Sequence, residues 1–393
     1  MRKSIINKLF NSLSSTCKYA ILHHLDRIYE NYDDIDLVVN INKNDFLLFL
    51  KDFVKKNNLF LGKHFKISDR IYRFDIFFYE NEQLLSIELD CSCNGRGYDE
   101  LLIDSERLIK NRILVEINEN KFYKISDSDE IDYYIKKKSY KNQIISPHFE
   151  YLISLDSNVT EIKILNDYNK WLKYYKSFAY KIKFLILKTD LFLSRFISPP
   201  SLSICFLGPD GSGKTTLINL LNHQPLFINK YYYHLKPLKS LKQSKNLIED
   251  PHKHPPYPMV LSLLKLFYFL FQYNCGWLLN IFFKKLTPSL IIFDRYYDDI
   301  LVDFKRYRFP RLTYFSKLVN LFIPKPQLYF VLISKPDIIH KRKKEVIYKE
   351  LERQINEYKL LVDNKTYYEI DVSYSPKKIM HEINSVIFKK LDE

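Results

Sequence analysis

The feature that most constrains this chain is a cluster of glycines. The sequence has 393 residues and only seven glycines, and three of them, Gly208, Gly211 and Gly213, lie close together. Glycine adopts positive φ angles without steric cost and lets the backbone approach a ligand closely. A short apolar segment, 203–207, precedes the cluster, and an amphipathic segment, 214–221, follows it. This order predicts a strand, a tight loop and a helix.

The loop from Gly208 to Thr216 reads GPDGSGKTT and fits the phosphate-loop pattern G-x-x-x-x-G-K-[ST]. In such a loop, successive N–H groups surround an anion at the N-terminus of the following helix. Lys214 is expected to reach the β- and γ-phosphates of ATP or GTP, and Thr215 to ligate Mg²⁺. The residues predicted to bind the nucleotide are Gly208, Asp210, Gly211, Ser212, Gly213, Lys214, Thr215 and Thr216.

Two further apolar runs, 290–293 and 327–333, have the length of buried strands and alternate with helical patterns. Such runs indicate an α/β fold with a parallel sheet covered by helices on both faces. The run 290–293 leads into Asp294 and Arg295. A carboxylate at the end of a parallel strand suits Mg²⁺, and the planar arginine fork suits the phosphate of an acceptor.

These motifs resemble those of the thymidylate kinase family of nucleoside monophosphate kinases. The resemblance covers about residues 201–385 and rests on the loop GPDGSGKTT, the strand-end Asp294-Arg295-Tyr296, and the basic segment Arg342-Lys343-Lys344-Glu345. It implies a P-loop kinase that uses ATP and Mg²⁺, with a magnesium role for Asp294 and an acceptor-phosphate role for Arg295. It also implies that Asp210 contacts the acceptor sugar, and that Arg342 and Lys344 form a lid that stabilises the transferring phosphoryl group.

Proline divides the chain, because none occurs before Pro147 and the pair Pro199-Pro200 directly precedes the first strand of the kinase-like region. The predicted domains are a smaller α+β domain at 1–146, a helical connector at 147–200 and the P-loop kinase domain at 201–393.

The first domain has paired carboxylates, Asp34 and Asp36, and later Glu88 and Asp90. Side chains alternate along a strand, so each pair lies on one face and suits a metal ion. The pattern resembles the nucleotidyltransferase fold, although the small Gly-Ser pair that normally precedes D-x-D is missing. The resemblance implies a metal site at Asp34, Asp36 and Glu88. A degenerate, substrate-recruiting domain and a simple solvated acidic turn are the alternatives.

Charge and composition limit the kinds of molecule that this chain is expected to bind. Most of the net charge of +15 comes from residues 201–393, which suits a polyanionic ligand, and no nucleic-acid-binding signature accompanies it. We therefore expect a small phosphorylated acceptor rather than nucleic acid, and a homodimer is compatible with the sequence. Five scattered cysteines and the lack of a signal-peptide pattern indicate a cytoplasmic protein. The apolar run 259–283 is predicted to form buried helices broken near Gly276, with membrane contact peripheral at most.

The sequence thus predicts a phosphotransferase that moves the γ-phosphoryl group of ATP to a dTMP-like nucleoside monophosphate. Two alternatives remain at this point: a kinase of a sugar or glycan intermediate of surface polysaccharide, and a nucleotide-gated regulatory or nucleic-acid-binding ATPase. Alanine at Lys214 or at Arg295 is expected to abolish transfer and to leave the fold intact.

Overall fold

The computed structural model describes residues 1–30, 34–68, 70–94, 104–238, 255–310, 313–343 and 346–392. The chain divides into two units, Met1–Ser198 and Pro199–Leu391. The division falls between Ser198 and Pro199, directly before the Pro199-Pro200 pair.

The first unit contains a mixed sheet in the order β3-β5-β6-β2-β1-β8-β7, with β4 paired to β5. The long hairpin β5–β6 turns at Asn81 and Glu82, both at positive φ, as a tight two-residue turn requires. The strands are β1 Tyr19–Ile21, β2 Ile35–Val39, β3 Phe60–Leu61, β4 Phe65–Lys66, β5 Ile71–Glu80, β6 Gln83–Ser92, β7 Ile113–Ile117 and β8 Asn120–Lys124.

Helices cover this sheet and continue beyond it. Ile6 and Phe10 of the first helix and Phe46 and Leu50 of the second are buried in a core shared with the sheet. The helices are α1 Arg2–Thr16, α2 Lys43–Lys56, α3 Ser105–Lys110, α4 Asp127–Tyr140, α5 Phe149–Leu155, α6 Glu161–Lys176 and α7 Phe178–Ile197. The last three lie in the segment for which the sequence predicts a helical connector.

The second unit is built on a parallel sheet, and this confirms the α/β architecture predicted for the region. Its described strands follow the order β10-β11-β9-β12-β13 and all pair in parallel. Every residue of β9, β11 and β12 is buried, so helices cover both faces. The strands are β9 Leu202–Leu207, β10 Asn229–His234, β11 Ser289–Asp294, β12 Leu328–Ile333 and β13 Tyr367–Asp371.

The central strand β9 lies between β11 and β12, which come later in the chain. The connection from β9 leads to β10 on one side, whereas the connection from β12 leads to β13 on the other side, and ligands bind at the carboxyl ends of strands at such a point. The helices of this unit are α8 Lys214–Asn222, α9 Met259–Gly276, α10 Phe282–Lys285, α11 Tyr297–Val302, α12 Thr313–Leu321, α13 Pro336–Arg342, α14 Tyr348–Lys359 and α15 Pro376–Asp392.

The prediction of buried helices broken near Gly276 is wrong. Gly276 has helical dihedrals, and α9 continues through a π-helical turn, Trp277–Ile281, into α10. Glycine is required there because a Cβ would lie 2.6 Å from the Pro237 side chain. By length and composition Met259–Lys285 could cross a bilayer, yet only 33% of its most apolar stretch is buried. One side exposes Val260, Leu264, Phe267, Phe271 and Leu278. The run is apolar all around the helix, so its periodicity did not reveal which side is covered.

Candidate active site

The phosphate loop connects β9 to α8 in the second unit. Gly208, Gly211 and Gly213 all have positive φ, at 144°, 86° and 88°. A Cβ on Gly208 would lie 2.5 Å from the carbonyl oxygen of Leu332, so no other residue fits between the loop and β12. Gly213 immediately precedes α8. The loop therefore has the backbone geometry and the helix N-terminus that an anion requires.

Lys214 folds back onto its own loop. Its Nζ donates to the carbonyl oxygens of Gly208 at 2.7 Å and Pro209 at 2.9 Å, and lies 3.4 Å from Ser212 Oγ. The side chain is buried, and burial together with the positive charge of Arg295 lowers the pKa of Lys214 to about 7. The ammonium thus occupies the loop at a desolvation cost that the negative charge of a bound phosphate would offset. Thr215 and Thr216 are exposed in the first turn of α8.

Asp294 ends β11, beside the end of β9. Its Oδ2 accepts a hydrogen bond from the Tyr232 hydroxyl at 3.0 Å and lies 3.6 Å from His234 Nδ1. Burial raises the pKa of this carboxyl, but the neighbouring His234 and the charge of Lys214 lower it by more, so the net shift of the pKa is downward. Asp294 is 7% exposed, and its Oδ1 has no hydrogen-bond partner among the described residues. A buried carboxylate oxygen without a partner is a suitable ligand for a hard cation.

Arg295 links the strand end to the phosphate loop. Its Nη1 donates to both carboxylate oxygens of Asp299, at 2.7 and 2.8 Å, and its Nη2 donates to Asp210. Burial lowers the pKa of Arg295, but Asp299, Asp210 and the neighbouring tyrosines together outweigh burial and raise the pKa well above its usual value. Arg295 itself has a φ of 70°, an unfavourable angle for this residue that places its side chain between the two carboxylates.

Sequence reasoning did not single out Arg306 and Asp299 as site residues. Arg306 Nη1 donates to Asp210 Oδ2 at 2.6 Å, so two arginines share the loop carboxylate. Despite its burial, they hold the pKa of Asp210 well below its usual range. Asp299 is fully buried and also accepts from the hydroxyls of Tyr307, at 2.8 Å, and Tyr358. Asp299 lies in the first turn of α11 and Arg295 just before that helix, so their spacing of four residues was the one signal for this pair in the sequence.

Of the two predicted lid residues, Arg342 and Lys344, the structure describes only Arg342. Arg342 ends α13, is exposed, and donates from Nη2 to the carbonyl oxygen of Val372 at 2.8 Å. Lys344 lies outside the described residues. A Cβ on Gly211 would lie 3.0 Å from the Cβ of Lys343 and 3.2 Å from the carbonyl oxygen of Ile339. The end of α13 therefore packs directly against the phosphate loop, while the guanidinium of Arg342 contacts the end of β13.

The metal ligands predicted for the first unit lie near one another but already have cationic partners. Asp34 and Glu88 both pair with Arg73, while Asp36 pairs with Lys137 and His23. Among the described residues, no group of three or more His, Cys, Asp and Glu side chains is arranged to hold a metal ion. The three carboxylates do not fit a metal site.

Comparison with known proteins finds solved structures that are similar to about half of this chain. No family model and no curated protein matches the chain. The thymidylate kinase of Candida albicans aligns with 49% of this chain and 94% of its own, at 17% identity and a TM-score of 0.36. The thymidylate kinase of Ehrlichia chaffeensis aligns with 48% of this chain and 100% of its own, at 17% identity and a TM-score of 0.34. At these values neither alignment carries an argument about substrate.

Proposed function

We propose that the second unit is an ATP-dependent phosphotransferase whose acceptor is a small phosphorylated molecule, a nucleoside monophosphate of the dTMP type. One observation carries the proposal: the loop that would bind the donor phosphates supplies the carboxylate, Asp210, that holds Arg295 and Arg306. Donor and acceptor groups are therefore supported by one rigid cluster, as in-line transfer between two bound phosphates requires.

The donor side follows from the loop. The N–H groups of residues 210–214 and the N-terminus of α8 would bind the β- and γ-phosphates of ATP. Lys214 would exchange its contacts with the Gly208 and Pro209 carbonyls for contacts with these oxygens. Because the side chain is already buried and oriented, little conformational entropy is lost in the exchange.

The unpartnered Oδ1 of Asp294 and the exposed hydroxyl of Thr215 fit a magnesium ion. When bound, Mg²⁺ supplies charge neutralisation to the β- and γ-phosphates. In this chain Asp294 would hold the ion, while Tyr232 and His234 fix the orientation of its carboxylate through Oδ2. The assignment rests on the chemistry of these oxygen donors.

The acceptor side depends on the two arginines. The side chain of Arg295 is 5% exposed and is committed to two carboxylates, whereas the side chain of Arg306 is 30% exposed. Arg306 is thus the more accessible fork for the acceptor phosphate, and Arg295 holds Asp210 in place behind it. Together they would neutralise charge during transfer, which is the main contribution a protein makes to this reaction.

An acceptor screen tests the proposal. The full-length protein is incubated with ATP, Mg²⁺ and either nucleoside monophosphates or phosphorylated sugars, and ADP and the phosphorylated product are quantified. We expect ADP release that depends on a nucleoside monophosphate, highest with dTMP. Transfer to sugars alone would favour the glycan-kinase alternative, and acceptor-independent ATP hydrolysis with no product would contradict both.

Replacing Arg306 with alanine is expected to raise the KM for the acceptor by about tenfold to a hundredfold, because a charge-assisted hydrogen bond contributes about 1.5–3 kcal/mol. The KM for ATP should change little. Initial rates at varied acceptor and ATP concentrations measure both constants. Arg308→Ala is the matched control, since Arg308 contacts Tyr257 and the carbonyl of Pro255 instead. Equal effects of the two substitutions would remove Arg306 from the acceptor site.

A further inference from the structure

The first unit contains a cavity of about 330 Å³ beside the ends of β1 and β2 and the helix α4. The strand β1 ends at Ile21, and the chain then turns through His23 and His24, the latter at a φ of 51°. This turn directs both histidines to the cavity wall. The lining residues used below are His23, Arg27, Asp36, Ser68, Lys137 and Lys141.

Next to the cavity, one guanidinium is shared by three carboxylates. Arg73 donates to Asp90 from Nε at 2.7 Å and from Nη2 at 2.8 Å, to Glu88 at 2.7 Å, and to Asp34. Its side chain is 12% exposed, so these contacts are largely shielded from water. The guanidinium takes the place among the carboxylates that a divalent ion would need.

A second cation, Lys137, pairs with Asp36, the carboxylate that Arg73 does not contact. Lys137 Nζ lies 2.8 Å from Asp36 Oδ2 and 2.8 Å from His23 Nε2, and His23 Nε2 lies 2.6 Å from the same carboxylate oxygen. Although burial acts in the opposite direction, His23 and Lys137 lower the pKa of Asp36 below its usual range. Asp36 is thus an ionised, fully compensated group, and it has no need of a metal ion.

Other polar groups at the cavity lack partners. Ser68 is 4% exposed, and its hydroxyl has no hydrogen-bond partner among the described residues; the same holds for the buried Nδ1 of His23. A buried polar atom without a partner costs about 1–3 kcal/mol, so both atoms favour a hydrogen-bonding ligand. Two cations also line the cavity: the half-exposed Arg27, whose pair with Asp26 is long at 3.8 Å, and the exposed Lys141.

We propose that this cavity binds a small phosphorylated, hydroxyl-bearing molecule without a divalent metal. Arg27 and Lys141 would hold the phosphate at the surface. Ser68 and His23 Nδ1 would pair with hydroxyl groups further in, where they are buried. Arg73 and Lys137 make the binding metal-independent, because they neutralise the carboxylates that would otherwise repel an anion. Sugar phosphates and nucleoside monophosphates both have this chemistry.

The test is calorimetric titration of the full-length protein with glucose 1-phosphate and, separately, with AMP, in the presence of EDTA and again with Mg²⁺. We expect binding of at least one probe that is unchanged by EDTA. Lys141→Glu should weaken it by about tenfold, since it replaces a charge-assisted contact with a repulsive one. Lys138→Glu is the matched control, because Lys138 follows Lys137 on α4 yet contacts Gln143 rather than the cavity.

Ser68→Ala gives a second measurement that does not depend on surface charge. The serine hydroxyl has no partner in the free protein, so the variant should keep or gain thermal stability and should bind the probe several-fold more weakly. Binding that disappears in EDTA, equal effects of the Lys141 and Lys138 substitutions, or no binding of either probe at millimolar concentration would each overturn the proposal. These outcomes are independent of the acceptor screen. Loss of AMP binding through Lys141→Glu separates this cavity from the candidate active site of the second unit.

Discussion

Replacing Lys214 with alanine is expected to lower the rate of phosphoryl transfer by about a thousandfold while the protein stays folded. Removal of one preorganised group that stabilises developing charge costs about 10²–10³ in kcat. The fold should tolerate the change because burial already disfavours the charged ammonium, whose pKa falls to about 7. Among the described residues, its hydrogen bonds are with oxygens of the loop itself, those of Gly208, Pro209 and Ser212. Initial rates with saturating ATP, together with thermal unfolding, measure both effects.

The chain offers a matched lysine for this experiment at the other end of α8. Lys230 Nζ donates to the carbonyl oxygens of Leu221 at 3.3 Å and Asn222 at 2.6 Å, near the end of that helix. Lys230→Ala should therefore lower the unfolding temperature slightly and leave the transfer rate within about twofold, because helix-end contacts contribute about 0.3–1 kcal/mol. A Lys214→Ala enzyme with full activity would remove the phosphate loop from the candidate site.

The sequence was sufficient to predict the structure of those segments in which local backbone geometry determines the residue types. The loop from Gly208 to Thr216 needs glycine at positive φ and at a contact too close for a Cβ. Its motif can therefore be recognised from the residue types alone. Strands β9, β11 and β12 are buried on both faces, and their short continuous apolar runs predicted a parallel sheet correctly.

Contacts between segments that are distant in the sequence could not be predicted in the same way. The pairing of Arg306 with Asp210 joins residues 96 positions apart, and the Tyr358 hydroxyl reaches Asp299 from another helix. No local pattern specifies which of many arginines and tyrosines makes such a contact. The same limit explains why the metal site predicted for the first unit from the spacing of Asp34 and Asp36 does not fit the structure. Lys137, which neutralises Asp36, lies 101 positions further along the chain.

Arg295→Ala is expected to abolish transfer and, unlike the sequence-based expectation, to destabilise the fold by about 3–5 kcal/mol. Asp299 is 0% exposed, and Arg295 donates to both of its oxygens. Removing the guanidinium leaves a buried carboxylate whose remaining hydrogen bonds, within the described part of the chain, come from two tyrosine hydroxyls. Breaking a buried ion pair on one side carries a cost of this size. Urea unfolding of the full-length protein, followed by circular dichroism, measures the change in the free energy of unfolding.

A double substitution separates the role of Arg295 in stability from its role in transfer. In Arg295→Ala/Asp299→Asn the buried charge is gone, and Tyr307 and Tyr358, which donate to different oxygens of Asp299, can still pair with the asparagine, one donating to its oxygen and the other accepting from its NH2 group. Most of the lost stability should therefore return, whereas transfer should stay absent because Asp210 no longer has its partner from the strand end. Arg353→Ala is the control, since its partly exposed side chain pairs with Glu350 on the same helix and donates to the carbonyl oxygen of Val302, contacts that together contribute about 2 kcal/mol or less. If the double variant regained transfer together with stability, Arg295 would be a structural counter-ion alone. The acceptor phosphate would then depend on Arg306, the one of the two arginines whose side chain is appreciably exposed.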